Sequence, residues 1–470
     1  MIDLSSTIAA ISTPAGVGGI AVVRISGAQA FDVCDKIFAS PTGKKLSEQK
    51  TATAHFGKII FENTTIDEVL ATVFRAPHSF TGEDTVEISC HGSTYIQQQI
   101  LQALMGSGAS MAQPGEFTMR AFLNGKMDLA QAEAVADLIA SSTRAMHRVA
   151  MQQMRGGYSN DIRALRDKLL HFASMLELEL DFTDEDVEFA NRDELKNLLR
   201  EILRVIEKLT ASFSVGNAIK KGVPVAIVGA PNVGKSTLLN ALLNDEKAIV
   251  SDIEGTTRDA IEDTITLGGV LFRFIDTAGI RHSTDVVENL GIERTFEKMS
   301  KAAIVILLLD ATRPETFGSL EKIQAQLSAE QQLVVVVNKS DALNNSCHCG
   351  LDPQSPDFEI AGQARNDSGI KLSAKNKTGL QELEQKLLEC ASIPNSLGSD
   401  SIVSNARHYE AFSHAQQSIE RALEGLNTGL SEELVAFEIR EATRLLGSIV
   451  GDISDNDILG NIFEKFCVGK

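Results

Sequence analysis

The chain has 470 residues, which is too long for one hydrophobic core and predicts about three domains. It holds no apolar run near the roughly 20 residues that a membrane-spanning helix requires, and its first residues lack the basic segment of a secretory signal, so we expect a cytoplasmic protein without a membrane partner. With 63 acidic against 44 basic residues the net charge is −19, which excludes broad contact with nucleic acid and leaves only a local or partner-assisted one.

The first part of the chain alternates short apolar runs with Gly and Pro over residues 7–92. This pattern predicts the strands of a small α+β domain, which we place at residues 1–124. Residues 125–218 then show apolar residues at helical spacing only, as in Leu165 and Leu169. We therefore predict a first helical segment there.

Residues 219–392 alternate near-continuous apolar strands with helices, and helices resume over residues 393–470. The strands are typical of a doubly wound parallel sheet. Because neither helical segment alone covers its apolar face, we predict that the two pack together as one discontinuous helical domain. The expected fold is multidomain α+β and α/β, with a Ras-like P-loop G domain inserted into the helical domain.

One polar, Gly-rich stretch at residues 344–369 is longer than ordinary connections in α/β units, and we expect a surface insertion there. It contains Cys347, His348 and Cys349. These lack the two-residue spacing and the second ligand pair of structural zinc sites, so we do not expect a metal there. The six cysteines of the chain are scattered, which favours reduced thiols over disulfides.

The stretch "GAPNVGKST" follows the apolar run "VAIV" and precedes "LLNALLN", the context of a phosphate-binding loop. Gly229 and Gly234 allow main-chain N–H groups to point at phosphate oxygens. Lys235 places a positive charge on the β and γ phosphates, and the Ser236 hydroxyl is expected to ligate magnesium. The stretch predicts nucleotide binding.

Further motifs decide which nucleotide binds. In "DTAG", Asp276 can hold the magnesium shell and the Gly279 N–H can contact the γ phosphate. In "NKSD", the Asp341 carboxylate can accept from the N1–H and amino group of guanine, and adenine offers neither donor. Main-chain groups of "LSAK" are expected to contact the guanine base, and Thr257 in "EGTTRD" can complete the magnesium shell. Together these motifs predict a GTPase.

Activation of the attacking water needs a separate device, because Ile280 stands where Ras-like enzymes have a glutamine. Transition-state charge could be met by Arg258 or Arg281, or by a monovalent cation held by Asn232. An asparagine at this position marks potassium use in the TrmE-Era branch of GTPases, which this pattern resembles. We therefore favour potassium.

Several stretches are more specific than a G domain: "GGIAVVRISG", "PGEFTMRAFLNGKMDLAQAEAVADLI", "GTTRD" and the final "CVGK". With them the chain resembles the bacterial MnmE (TrmE) family of tRNA modification GTPases over nearly all its length outside the insertion. The resemblance implies a homodimer formed through the N-terminal domain and a heterotetramer with a FAD-dependent MnmG-type partner. It also implies addition of a carboxymethylaminomethyl group at C5 of the wobble uridine of certain tRNAs, with GTP hydrolysis coupled to G-domain dimerisation.

The resemblance also implies the site residues. Potassium falls on Asn232, Ser251, Ile253 and Thr256, magnesium on Ser236 and Thr257, and the carboxylate near the attacking water on Glu288. The expected GTP-binding residues are Asn232, Val233, Gly234, Lys235, Ser236, Thr237, Ser251, Asp252, Ile253, Glu254, Gly255, Thr256, Thr257, Asp276, Thr277, Ala278, Gly279, Asn338, Lys339, Ser340, Asp341, Ser373, Ala374 and Lys375.

A pocket for 5-formyltetrahydrofolate or a related one-carbon folate is likewise implied for the N-terminal domain, at Arg24, Glu87, Lys126 and Lys470. A carboxylate suits the donors of a pterin, and cations suit glutamyl carboxylates. Apolar residues near the end of the chain fall on one helix face, which predicts an anchored tail with a fixed direction for Cys467. The resemblance implies that this direction is toward the folate pocket. A catalytic role of the Cys467 thiol is a hypothesis.

Two other functions stay open at this point. A ribosome-assembly GTPase of the same branch usually carries a basic RNA-binding domain such as a KH module, and the sequence shows none after Ile402. A switch, in which GTP binding reorders loops and hydrolysis only resets them, is compatible with the motifs. A hydrolysis-impaired variant would separate a switch from an enzyme whose hydrolysis drives modification.

Overall fold

The computed structural model describes residues 5–181, 191–243, 263–275, 299–328, 331–345, 369–391, 401–452, 462–463, 466 and 469. These residues form two compact units. The first unit combines Met1–Ile139, Gln153–Leu199 and Gln417–Lys470, and the second combines Ala140–Gln152 and Arg200–Gln416.

The first unit begins with a seven-stranded sheet, as the alternating apolar runs predict. Its strands are β1 (Ile8–Ile11), β2 (Ile20–Ser26), β3 (Phe38–Ala39), β4 (Thr53–Phe61), β5 (Thr64–Phe74), β6 (Thr85–His91) and β7 (Ser110–Met111). Their order is β3-β4-β5-β6-β2-β1-β7. All neighbours are antiparallel except β1 and β7, and residue Arg24 of β2 lies opposite Glu87 of β6.

Two helices cover one face of this sheet: α1 (Ala30–Ile37) and α2 (Thr94–Gly106). Their apolar residues share a buried core with the strands, including Val23, Ile88 and Ile100. A short helix, α3 (Glu116–Leu123), follows. Alternate strand residues point to opposite faces, so the side of the sheet away from α1 and α2 carries Arg24 and Glu87.

The helical segments on either side of the α/β part are long, in agreement with the apolar spacing. Before the α/β part, the helices are α4 (Leu129–Ala140), α5 (Arg144–Met154), α6 (Ser159–Asp181), α7 (Arg192–Ala211) and α8 (Phe213–Lys221).

The second unit contains a six-stranded sheet of order β13-β12-β11-β8-β10-β9, parallel except for the β9–β10 hairpin. Its elements are β8 (Val223–Val228), α9 (Lys235–Leu243), β9 (Asp263–Leu267), β10 (Val270–Phe274), β11 (Ile304–Asp310), α10 (Ser319–Gln324), β12 (Gln332–Asn338), β13 (Ile370–Lys371) and α11 (Leu380–Cys390). Apolar cores lie on both faces; Ile306 of β11 faces one and Leu307 the other.

The chain enters and leaves this α/β part at neighbouring points. The Ser212 hydroxyl accepts a hydrogen bond from the Val403 N–H at 3.0 Å, and the Phe213 ring stacks on Tyr409 with centroids 4.3 Å apart. This proximity is what an inserted domain requires, because its host must continue across the insertion. The predicted domain limits themselves, at residues 124, 218 and 392, stay predictions.

The last helices are α12 (Ala406–Thr428) and α13 (Glu432–Val450), and within the first unit α13 packs along α6. Arg440 pairs with Glu177 at 2.9 Å across these two helices. The helical segments before and after the insertion therefore pack together, as predicted. Residues Phe463 and Phe466 are buried against α3 and α4, in a cluster with Met119, Leu129 and Ala132.

Candidate functional site

The predicted phosphate-binding loop connects β8 to α9, at the carboxyl end of a central strand of the parallel sheet. The Lys235 ammonium lies across the loop and donates to the carbonyl oxygens of Gly229 and Ala230 at 2.7 and 3.0 Å. Gly234 has φ +103°, and a Cβ there would come 2.4 Å from the Asn338 side-chain nitrogen. Only glycine fits this position.

The "NKSD" motif follows β12 and is joined to the loop by side-chain bonds. The Asn338 amide nitrogen donates to the Val233 carbonyl at 2.8 Å, and its oxygen accepts from the Ala374 N–H at 3.0 Å. The Lys339 ammonium donates to the Asn232 carbonyl at 3.0 Å. The structure thus brings together the predicted phosphate, base and "LSAK" segments at one edge of the sheet.

Two other members of the predicted nucleotide site have partly exposed side chains. Ser236 occupies the first turn of α9, where main-chain N–H groups favour an anionic ligand, and is half-buried. Asp341 is the second residue of the 3₁₀ turn Ser340–Asn345 and is half-buried. Both residues lie where β8 and β12 end, and neither is fully buried.

A second group of predicted residues lies outside the described part of the chain. It comprises the segment from Ser251 to Thr257, the "DTAG" residues Asp276 to Gly279, Arg258, Ile280, Arg281, Glu288, the insertion residues Cys347, His348 and Cys349, Cys467 and Lys470. Their roles stay predictions.

In the N-terminal domain, Arg24 and Glu87 lie side by side on adjacent strands. Arg24 donates through Nε and Nη2 to Glu87 Oε1 at 2.9 and 2.8 Å. Among the described residues no partner faces Glu87 Oε2, so one carboxylate oxygen stays available to a ligand. The guanidinium also lies 5.4 Å from the Phe80 ring centre and 5.6 Å from that of Phe117, within cation–π range.

The third predicted folate residue, Lys126, is exposed and donates to the Pro77 carbonyl at 2.9 Å. Pro77 and Phe80 belong to one loop, residues 75–84, that connects β5 to β6. The loop therefore carries a contact of Lys126 and a contact of Arg24. The structure brings Arg24 and Glu87 together directly, and Lys126 contacts the loop whose Phe80 lies against Arg24.

A buried ion network that sequence reasoning missed fixes this loop. Arg120 of α3 is 1% exposed and pairs with Glu116 at 2.8 Å and with Glu83 of the loop at 3.2 Å. Glu83 also accepts from the Ser26 hydroxyl at 2.8 Å. The i, i+4 spacing of a glutamate and an arginine in "EFTMR" is a signal for the helical pair. No signal links either residue to Glu83.

The end of the described chain lies against the first strand. The Gly469 carbonyl accepts from the Ser12 hydroxyl at 3.1 Å. Gly469 has φ +94°, and a Cβ there would come 2.2 Å from the Ile11 carbonyl oxygen. Since Ile11 lies opposite Val23, Gly469 lies beside β1, the strand next to the β2 strand that carries Arg24.

No helix among the described residues is long and apolar enough to cross a membrane. In that same part of the chain, no group of three His, Cys, Asp or Glu residues is arranged to hold a metal ion.

Comparison with known proteins places the chain. The family model described as the MnmE helical domain matches residues 129–467, and that of the GTP-binding protein TrmE N-terminus matches residues 7–126. A tRNA modification GTPase MnmE of Parabacteroides distasonis is 55% identical over 99% of this chain and 100% of that protein. The chain belongs to the MnmE family. Its members at this similarity are named tRNA modification GTPases, so the chain is a GTPase, as the nucleotide motifs predict.

Other relatives give the same family. A tRNA modification GTPase MnmE of Christiangramia forsetii is 51% identical over 99% of this chain and 100% of its own. Among solved structures, the G domain of the T. maritima FeoB iron transporter is 27% identical and covers 36% of this chain and 99% of that one. Its TM-score is 0.25, which is too low to support a conclusion about fold. The family match confirms the predicted N-terminal and helical domains.

Proposed function

We propose that this chain is a potassium-dependent GTPase that acts with a FAD-dependent MnmG-type partner on tRNA. Together they add a carboxymethylaminomethyl group at C5 of the wobble uridine of certain tRNAs. The observation that carries the proposal is the bonded junction of phosphate loop and base motif, where Asn338 contacts Val233 and Lys339 contacts Asn232. It occurs in a chain whose curated relatives are tRNA modification GTPases.

For the hydrolytic step, bound magnesium would neutralise charge on the β and γ phosphates. Ser236 is the described residue that would hold it, since its hydroxyl stands at the start of α9. The Lys235 ammonium, which donates to the Gly229 and Ala230 carbonyl oxygens, would place a positive charge beside the phosphates. Asp276 and Thr257 would complete the metal shell, and Glu288 would face the water.

The monovalent cation is tested first. Asn232 is exposed and has φ +63°, a left-handed conformation that asparagine tolerates better than most residues. GTP turnover should be compared in potassium and in sodium at equal ionic strength, and we expect it to be many-fold faster in potassium. Similar rates would contradict the potassium proposal and favour Arg258 or Arg281 instead, since an arginine finger raises the hydrolysis rate roughly a thousandfold or more.

The folate is tested by binding. Glu87 would accept from the pterin with its available oxygen, and Arg24, Lys126 and Lys470 would meet carboxylates of the glutamyl part. Calorimetric titration of 5-formyltetrahydrofolate into the full chain should give a saturable site, and Glu87→Gln should weaken it. Because the family resemblance implies homodimers, sedimentation of the same samples reports whether binding accompanies dimerisation.

The tRNA reaction is tested in cells. Nucleoside mass spectrometry of tRNA from a strain that lacks this chain should show loss of the modified wobble uridine, and the wild-type chain should restore it. A Glu288→Ala chain separates enzyme from switch. If it binds GTP, hydrolyses it slowly and still restores full modification, nucleotide binding alone suffices.

A further inference from the structure

The carboxyl end of β11 holds a buried carboxylate that the GTPase motifs do not include. Asp310 has a side chain that is 0% exposed, and its Oδ2 accepts from the Lys339 ammonium at 2.6 Å. Its other oxygen, Oδ1, accepts from the Thr312 N–H at 2.9 Å and from the Thr312 hydroxyl at 2.7 Å. A buried carboxylate is tolerated only when it is paired and hydrogen-bonded in this way.

The pairing also keeps the carboxylate charged. Burial raises the pKa of Asp310, but hydrogen bonds from Lys339 and Thr312 and the lysine charge outweigh burial and leave the pKa below its usual value. Asp310 is therefore an anion at neutral pH, held at a fixed point beside the nucleotide site.

Lys339 connects this anion to the phosphate-binding loop. Its ammonium donates to the Asn232 carbonyl at 3.0 Å in addition to Asp310. Lys339 has φ +62° and Asn232 has φ +63°, so both ends of the connection have a left-handed backbone that other contacts must hold. Fixing a lysine side chain costs about 2 kcal/mol of rotamer entropy, and the ion pair of Lys339 with Asp310 at the end of β11 offsets that cost.

We propose that Asp310 is a positioning residue of the GTPase site: it fixes Lys339, and Lys339 in turn fixes the main chain of Asn232. The proposal rests on the proposed function in one respect, since Asn232 is the residue predicted to bind potassium. In this proposal Asp310 acts without contact to nucleotide or cation. Its effect is transmitted by one ion pair and one hydrogen bond.

A purely structural alternative exists, because Asp310 also closes the turn at Thr312. The two roles use different oxygens, Oδ2 for Lys339 and Oδ1 for Thr312. Thr312→Val removes a turn contact and leaves the ion pair, so it is a matched control. Asp310→Ala removes both. Asp310→Asn keeps the shape and one acceptor oxygen, loses the charge and replaces the other oxygen by an NH2 group that cannot accept.

The experiment uses the full chain with two readouts besides the melting temperature. One is the potassium concentration for half-maximal GTP hydrolysis at constant ionic strength, and the other is the dissociation rate of a fluorescent GDP. For Asp310→Ala we expect about tenfold increases in both, the size of a lost charge-assisted hydrogen bond. Asp310→Asn should fall between it and wild type, and Thr312→Val should match wild type in both.

Transmission through Lys339 is tested by a double variant. If Asp310 acts only through Lys339, then Asp310→Ala should change neither readout further in a Lys339→Met background, so the double variant should match Lys339→Met alone. A melting temperature lowered by Asp310→Ala with both readouts unchanged would overturn the proposal and leave the turn-closing role. Should Asp310→Ala not fold, unchanged readouts in Asp310→Asn would overturn it equally.

The outcome separates this inference from the potassium proposal. If wild-type hydrolysis is equally fast in sodium and in potassium, the cation proposal is wrong. The GDP dissociation rate is then the readout that tests the positioning role of Asp310. Faster dissociation from Asp310→Ala would then support positioning of the loop, and wild-type dissociation would overturn it.

Discussion

Replacement of Gly469 by alanine should release the tail from the first strand. A residue other than glycine at its φ of +94° costs about 1–3 kcal/mol, and the new Cβ would lie 2.2 Å from the Ile11 carbonyl oxygen, so the tail must move. The bond from Ser12, which contributes about 0.5–1.5 kcal/mol, is then lost as well. A loss of about 2 kcal/mol or more corresponds to a rise of roughly 30-fold in the released fraction.

Hydrogen–deuterium exchange of a peptide that covers residues 462–470 measures that fraction, and we expect exchange roughly 30-fold faster in Gly469→Ala. Ser12→Ala removes only the hydrogen bond and should accelerate exchange by about fivefold. Gly43→Ala is the control, because Gly43 has φ +72° but nothing within 4 Å of a Cβ. It should leave exchange of the tail unchanged. Wild-type exchange in Gly469→Ala would refute the reasoning.

Three further predictions concern single groups. Asp341→Asn presents an amide to guanine in place of two charge-assisted bonds, so GTP affinity in a binding titration should fall by about a hundredfold or more, while xanthosine triphosphate binds better than to wild type. Burial, with a smaller contribution from Asp67, raises the pKa of the Cys90 thiol to about 11, and burial likewise raises the pKa of the Cys34 thiol. Peptide mapping should therefore show that neither thiol reacts with iodoacetamide at pH 8 until the chain is unfolded. Arg120→Met leaves the Glu116 carboxylate, which is 3% exposed, without its ionic partner, and the free energy of urea unfolding should fall by about 3–5 kcal/mol. Adding Glu116→Leu should recover most of that loss, and equal stability of the single and double variants would contradict this prediction.

The local part of the fold and site could be predicted from the sequence. The order of strand, loop and helix around "GAPNVGKST" is encoded within about 20 residues, and the structure has β8, the loop and α9 there. The short apolar runs of the N-terminal part and the near-continuous apolar runs of the α/β part likewise predict the long strands of the two sheets. The two-residue strands β3 and β7 escape such patterns, because a pairing of two residues shows no period.

The contacts that support the site could not be predicted, because each depends on the topology. Asp310 and Lys339 are 29 positions apart and meet only because β11 and β12 pair in parallel with their carboxyl ends aligned. Glu83 and Arg120 are 37 positions apart and meet through the packing of α3 on the loop between β5 and β6. In both cases a charged residue, of a type that is mostly exposed in proteins, is held in the interior by a distant partner.

The bond between Ser12 and Gly469 joins residues 457 positions apart, and Phe463 and Phe466 fill a face of α3 and α4 that is synthesised more than 300 positions earlier. At a translation rate of about 5–20 residues per second, that apolar face stays uncovered for tens of seconds before Phe463 and Phe466 are synthesised. The emerging chain therefore exposes Met119 and Leu129 to chaperones for the whole time that the nucleotide-binding part is being made. Completion of this small cluster is therefore a late event, and a chain that ends after the G domain would leave this apolar surface uncovered.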